Sequence, residues 1–237
     1  MRILVTNDDG VHATGLLPLI RWCQKLGQVT TIVPYVEQSG KSHGIELKHP
    51  FRIHEMDLAE DVRVWAIEST PADCVRFGVL AKHMEFDLVI SGINKGFNIG
   101  IDSLYSGTVA AVREAALLGI PAIALSTSVA YYDHAPSHLD QVWSYLQEHK
   151  LLEVYSLYNI NIPPEPKGFR ITRQGGPYYS DDFQLTEDGM CTPNGVCVFK
   201  SSGDLNLDTD AVTSGYISIL PQTVDMTNME IFHKLSL

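Results

Sequence analysis

The amino-acid sequence predicts a three-layer α/β fold: a mostly parallel sheet with helices on both faces. Three observations predict it. Through about the first 150 residues, short apolar runs alternate with segments whose apolar residues recur at helical spacing. The first run, Ile3 to Val5, is apolar in every position, as in a strand buried on both sides. Repeated strand–helix units of this kind close as a parallel, Rossmann-like sheet with right-handed crossovers.

The elements follow in order. After the first strand, Leu16, Leu17, Leu19, Ile20, Trp22, Cys23 and Leu26 repeat with a helical period, and Gly27 stops the helix. Val29 to Val33 is a second strand, closed by Pro34. Residues 35–44 read as a polar loop, 45–54 as an extended hairpin, and Arg63 to Ile67 as a strand. Thr70-Pro71-Ala72-Asp73 supplies a cap, a proline at the first helical position and an acid in the first turn, so a helix should run to about Met84. Asp87 to Ser91 is a strand, followed by a long loop from Gly92 to Tyr105. A helix then spans Ser106 or Gly107 to Gly119, a strand Pro121 to Ser126, and a helix Leu139 to His149.

From about Tyr155 the pattern loosens. Asn159 to Ile162 is strand-like, short extended runs surround an expected turn at Pro193-Asn194-Gly195, and Asp208 to Gly215 is a helix before the strand Tyr216 to Leu220. The chain is therefore expected to be one domain over 1–237. Its core would be about 1–150, and an extension over 151–237 would complete the sheet and project C-terminal hairpin arms for oligomerisation.

Composition narrows the function. At 237 residues, with 45% hydrophobic and 19% charged residues and a mean hydropathy of +0.01, the chain resembles a soluble enzyme. The net charge of −11 argues against a nucleic acid duplex or an anionic membrane as partner. Cys23, Cys74, Cys191 and Cys197 lack metal spacing and read as free buried thiols. The first strand begins at once, without a leader pattern, and no apolar run reaches membrane-spanning length, so a cytoplasmic location is expected.

The most informative local feature is Asp8-Asp9 directly behind the first strand, within the turn formers Asn7 to Gly10. Adjacent carboxylates repel unless a positive charge lies between them. Three other segments follow strands and can reach the same sheet edge: Glu37-Gln38-Ser39-Gly40, Ser91 to Gly100 with Asn94 and Lys95, and Tyr105-Ser106-Gly107-Thr108. Their carboxylate, hydroxyl and amide oxygens suit Mg²⁺, Mn²⁺ or Ca²⁺ rather than zinc. The helix start at Ser106-Gly107-Thr108 offers unpaired N–H groups to a phosphate. Taken alone, Asp8-Asp9-Gly10 is equally a turn with a cap, Ser-Gly-Thr before a helix is more often just a cap, and Asp181-Asp182 is a solvated turn. His43 reads as a solvated loop histidine, and Lys41 and Lys95 as surface residues or phosphate helpers. Motifs for dinucleotide binding, P-loop phosphate binding and the serine-hydrolase elbow are missing.

In their order and spacing, these segments resemble the SurE family, the stationary-phase survival proteins that act as metal-dependent 5′-nucleotidases and acid phosphatases. The likeness rests on Leu4 to Gly10, Gln38-Ser39-Gly40, Thr70 to Val75, Ser91 to Asn94, Asn98-Ile99-Gly100 and Tyr105 to Ala111. Later echoes are Asn159 to Pro163, Thr209-Asp210 and Gly215 to Ile219. The resemblance implies one divalent cation per subunit, held by Asp8, Asp9, Ser39 and Asn94. It also implies a phosphate surrounded by Asn98, Ser106, Gly107 and Thr108, and a homodimer or homotetramer with exchanged C-terminal arms. Two departures stand out: Ser218-Ile219-Leu220-Pro221 in place of Ser-Ile-Thr-Pro, and an atypical stretch near 188–200.

The expected function is a phosphomonoesterase acting on nucleoside 5′-monophosphates, with 3′-monophosphates and short polyphosphate as further candidates. Asp8, Asp9, Asn94 and Ser106 are the expected catalytic set. The alternatives are a non-catalytic nucleotide sensor using the same pocket and a structural α/β assembly protein.

Overall fold

In the computed structural model, which describes residues 1–236, strands and helices alternate as β1 (Arg2–Thr6), α1 (Leu16–Gln24), β2 (Gln28–Pro34), β3 (Ile53–Ala59), β4 (Val62–Ile67) and α2 (Pro71–Arg76). They continue as β5 (Leu88–Lys95), α3 (Gly107–Leu117), β6 (Ala122–Thr127), α4 (Leu139–Glu148), α5 (Leu151–Val154) and β7 (Leu157–Ile162). The chain ends with β8 (Phe169–Ile171), β9 (Tyr179–Leu185), β10 (Cys191–Cys197), α6 (Asp208–Thr213), β11 (Ile217–Pro221) and α7 (Met229–Leu235).

Nine strands form one sheet in the order β3-β4-β2-β1-β5-β6-β7-β11-β8. The pairs from β4 to β7 are parallel, whereas β3 with β4 and β11 with β7 are antiparallel. The sheet thus runs on past residue 150, with β7, β11 and β8 extending it. Alternation within β1 explains the layers. Ile3 and Val5 join Leu16, Leu19 and Ile20 of α1 and Val142 and Leu146 of α4 on one face. Leu4 joins Cys74 and Val75 of α2 and Val109, Val112 and Ala115 of α3 on the other. Successive strand residues point to opposite faces, so a strand covered on both sides must be apolar throughout.

Thr70 caps α2 as expected: its hydroxyl accepts from the Asp73 N–H at 3.2 Å, and Pro71 opens the helix. A π-helical turn over Phe77–Ala81 carries the chain on from α2.

Four expectations are corrected. The hairpin lies at 53–67, between β3 and β4, and not at 45–54. The alternation Met56, Leu58 and Val62, Val64 packs onto the core and sets that register. Pro193-Asn194-Gly195 is not a turn but the middle of β10; the ribbon reverses at Glu187-Asp188-Gly189, where Thr186 and Met190 close a hydrogen bond and Gly189 takes φ +81°. Asp181 and Asp182 lie within β9 for the same reason. Only Cys23 and Cys74 are buried; Cys191 and Cys197 are exposed on the ribbon.

Candidate functional site

Strand order reverses about β1: β2 pairs on one side and β5 on the other. Chains leaving the carboxyl ends of β1 and β5 therefore diverge and open a crevice between them. Asp8 and Asp9 leave β1 there, and Asn94 stands at the end of β5 beside them.

Asp8 is buried, and its Oδ1 accepts a hydrogen bond from the Thr108 hydroxyl, 3.3 Å from which lies Asn94 Oδ1. The Asn94 amide is oriented by its Nδ2 donating to the Gly96 carbonyl at 2.8 Å, which turns the oxygen toward Thr108. Asp9 is half-buried, and its Oδ2 accepts the Lys95 N–H at 3.2 Å. Ser106 caps α3, its Oγ accepting from the Val109 N–H at 3.1 Å.

Close approach explains two glycines. A Cβ at Gly107 would stand 2.9 Å from Asp8 Cβ, so a larger residue would drive α3 off the acid. A Cβ at Gly92 (φ +142°) would stand 2.4 Å from the Leu125 carbonyl, at the irregularity where β5 shifts register against β6 before Asn94.

The electrostatics fit a site that lacks compensating charge. Burial pushes the Asp8 carboxyl above its ordinary range, opposed by the Thr108 hydroxyl and the N–H groups of Thr108 and Gly107. Burial also raises Asp9, followed by the Asp8 charge and, more weakly, Glu37; the Lys95 N–H opposes, and the result is about 6. The N–H groups of Gly107 and Thr108 thus lie on the side of α3 that favours the ionised form of Asp8.

Of the remaining expected residues, Ser39 is exposed and adjoins Gln38, whose N–H donates to the Asp8 carbonyl at 2.7 Å. Asn98 is turned inward: its Nδ2 donates to Ser126 Oγ at 2.8 Å, and its backbone is gripped by Asn159 and Asn161. Gly100 is held by Asp208 Oδ2, which accepts its N–H at 2.9 Å. Lys95 reaches over the Tyr132 ring, 5.8 Å from its centroid. Burial, with the charge of Asp9 next, pushes the Tyr132 hydroxyl up to about 12.

Sequence reasoning did not assign Ser126, Tyr132, Asn159, Asn161 or Asp208. The two asparagines did carry a signal: at alternate positions of an apolar strand they must share one face, and a buried amide pair needs a polar partner there. His43 is not solvated; it bonds to the buried Glu114 at 2.9 Å. Among the described residues there is no cluster of three or more His, Cys, Asp or Glu able to hold a metal, so any cation here depends on amide and hydroxyl oxygens beside the two carboxylates. Nor, among the described residues, is any helix long and apolar enough to cross a membrane.

A family model described as Survival protein SurE matches residues 3–181. The protein named 5′-nucleotidase SurE of Thermosipho melanesiensis is 36% identical over 249 aligned residues, covering 99% of this chain and 96% of that one. Its namesake in Caldanaerobacter subterraneus is 37% identical, with the same coverage. The crystal structure of the SurE protein from Aquifex aeolicus superposes with a TM-score of 0.78 at 30% identity, covering 100% of this chain and 98% of that one. A match of this extent, with the paired acids and the capped helix in one crevice, shows that the chain belongs to the SurE family.

Proposed function

We propose that this chain is a metal-dependent phosphomonoesterase that hydrolyses nucleoside 5′-monophosphates to nucleoside and phosphate. The convergence of Asp8, Asn94 and Thr108 oxygens beside Asp9 carries the reading. Relatives named 5′-nucleotidase over nearly the whole chain support it.

The donor set is all oxygen and doubly acidic, so it fits a hard cation, Mg²⁺ or Mn²⁺, with Asp8, Asp9, Asn94 and Ser39 as its protein ligands. Such an ion supplies Lewis acidity toward a phosphoryl oxygen and toward the attacking water. The chain's own groups do the rest. Thr108 fixes the Asp8 carboxylate, and Gly96 fixes the Asn94 amide, so neither reorganises when substrate arrives. Ser106 Oγ accepts from Val109, which leaves its own hydrogen to donate to an equatorial phosphate oxygen. Asp9, whose Oδ1 has no hydrogen bond among the described residues, orients the water or takes its proton. Asn98 is fixed through its backbone by Asn159 and Asn161, which holds the loop that follows β5.

The reading extends to assembly. The β9–β10 ribbon exposes Tyr179, Phe183, Leu185 and Val196, and α7 exposes Ile231, Phe232 and Leu235. Apolar surface of this kind supports a homodimer or homotetramer joined by C-terminal arms. The strands β7, β8 and β11 belong to the same sheet as β1, which supports a single folded unit over 1–237.

The decisive experiment assays a panel of 5′- and 3′-nucleoside monophosphates and short polyphosphate, with Mn²⁺, Mg²⁺ or chelator. Steady phosphate release from the 5′-monophosphates that chelator abolishes is the expected result. Nucleotide binding without release would replace the enzyme by a sensor.

A further inference from the structure

Glu114 lies on α3 about two turns beyond Ser106-Gly107-Thr108, with a side chain only 7% exposed. Its Oε2 bonds to His43 Nε2 at 2.9 Å, and its Oε1 accepts from Arg76 Nη1 at 3.0 Å. Arg76 Nε extends the chain of charges to Asp73 Oδ1, 3.6 Å away. The other Asp73 oxygen accepts the Glu46 N–H at 2.8 Å and the Ser69 hydroxyl at 2.5 Å. One network therefore joins α3, α2 and the segment between β2 and β3, and holds that segment at both His43 and Glu46.

That segment needs holding. No helix or strand occurs in it between Pro34 and Ile53. Irregular connections of such length are uncommon in compact domains and are usually functional. Ser42 takes φ +53°, a left-handed conformation uncommon for a residue other than glycine. Its N–H donates to the Tyr105 carbonyl at 3.0 Å and its hydroxyl to the Leu104 carbonyl at 2.7 Å. At its other end the segment meets the acids, where the Gln38 N–H donates to the Asp8 carbonyl.

A buried charge network is a poor way to add stability, since apolar residues of equal volume often serve as well or better. What it can do is fix three separate elements in one arrangement. His43, and then Arg76, hold the Glu114 carboxyl below its ordinary range despite burial, so it remains charged and both arms persist at neutral pH.

We propose that Glu114 is a positioning residue that, through His43 and Arg76, clamps the 36–46 segment against α3. The Ser39 side of the crevice is thereby held opposite Ser106 and Thr108. What the crevice binds rests on the proposed function; the clamp itself does not.

The test is amide hydrogen exchange and Mn²⁺ calorimetry on the full chain, for the parent protein, Glu114→Gln and His43→Ala. His43→Ala cuts the direct arm to the segment and leaves the arm through Arg76 and Asp73 to Glu46, so it decides the matter should Glu114→Gln fold poorly. Expected are about tenfold faster exchange at Gln38 and Ser42 with β5 and β6 unchanged, and Mn²⁺ binding weakened about tenfold, as for other supports of metal ligands. A merely structural role would loosen the strands as well, or leave Mn²⁺ affinity alone. Unchanged exchange at Gln38 and Ser42 overturns the clamp, as does a loosened segment with unaltered Mn²⁺ affinity. Should the parent chain take up no Mn²⁺, the proposed function falls; exchange then decides the clamp, a local rise supporting it and no rise overturning it.

Discussion

Strands β6 and β7 and the ribbon of β9 and β10 are similar in length and opposite in environment. Every residue of β6 and β7 is buried, and every residue of β9 and β10 is exposed. Apolar content alone does not make the difference, since the ribbon carries Tyr179, Phe183, Leu185 and Val196. Partners make it. β6 pairs with β5 and β7, whereas among the described residues β9 pairs only with β10. A two-stranded ribbon is marginal in water on its own. The sheet thus completes itself within one chain, whereas the apolar side chains of the ribbon stay exposed.

The largest expected effect lies at the sheet's edge. Asp8→Asn should lower phosphate release by at least about 100-fold, the usual scale for losing a preorganised electrostatic group. In chelator its Tm should hold or rise, because the amide removes a charge that burial penalises. Full turnover after metal stripping would detach the acids from the chemistry. Next in size is Ile123→Ala in β6, fully buried, which should cost about 2–5 kcal/mol in denaturant unfolding. Phe183→Ala on the ribbon, measured at dilutions where the chain is a single protomer, should stay within about 0.5 kcal/mol. Equal losses would mean that the ribbon packs within its own protomer.

A third substitution sharpens the contrast by assembly. Phe183→Asp combined with Leu185→Asp should reduce the mass seen by light scattering toward that of a single chain, with phosphate release retained. An unchanged mass would remove the ribbon from the oligomer contact. A further effect concerns pH. In the cation-free protein the Asp9 carboxyl sits at about 6, against an ordinary 3.8. A raised acid pKa means that the folded state keeps its proton longer than the unfolded chain does. Stability from this group is therefore full below about 3.8 and lost as pH rises toward about 6. The gap in Tm between Asp9→Asn and the parent should widen by roughly 5–10 °C from pH 4 to 7, and Mn²⁺ should close it. A constant gap would show that Asp9 is not strained by burial.

Much of the fold was legible because its signals are local. The apolar run Ile3 to Val5 identified a doubly covered strand, Thr70-Pro71 placed a helix start to the residue, and turn formers after β1 put Asp8 and Asp9 at a strand end. The ribbon was misread for a local reason too: Pro193-Asn194-Gly195 looks like a turn, yet in a strand paired on one side only a proline is tolerated. His43 was misread because its partner lies 71 residues away.

By itself, the sequence determined the alternation of strands and helices, the parallel core and the arrival of Asp8 and Asp9 at one rim, all encoded within a few neighbouring residues. Only the tertiary structure decided which side chains hold that rim. Asn98 is gripped by Asn161 across 63 residues, and Gly100 by Asp208 across 108. Such bonds form only once the sheet has brought distant segments together and excluded the water that would otherwise satisfy them.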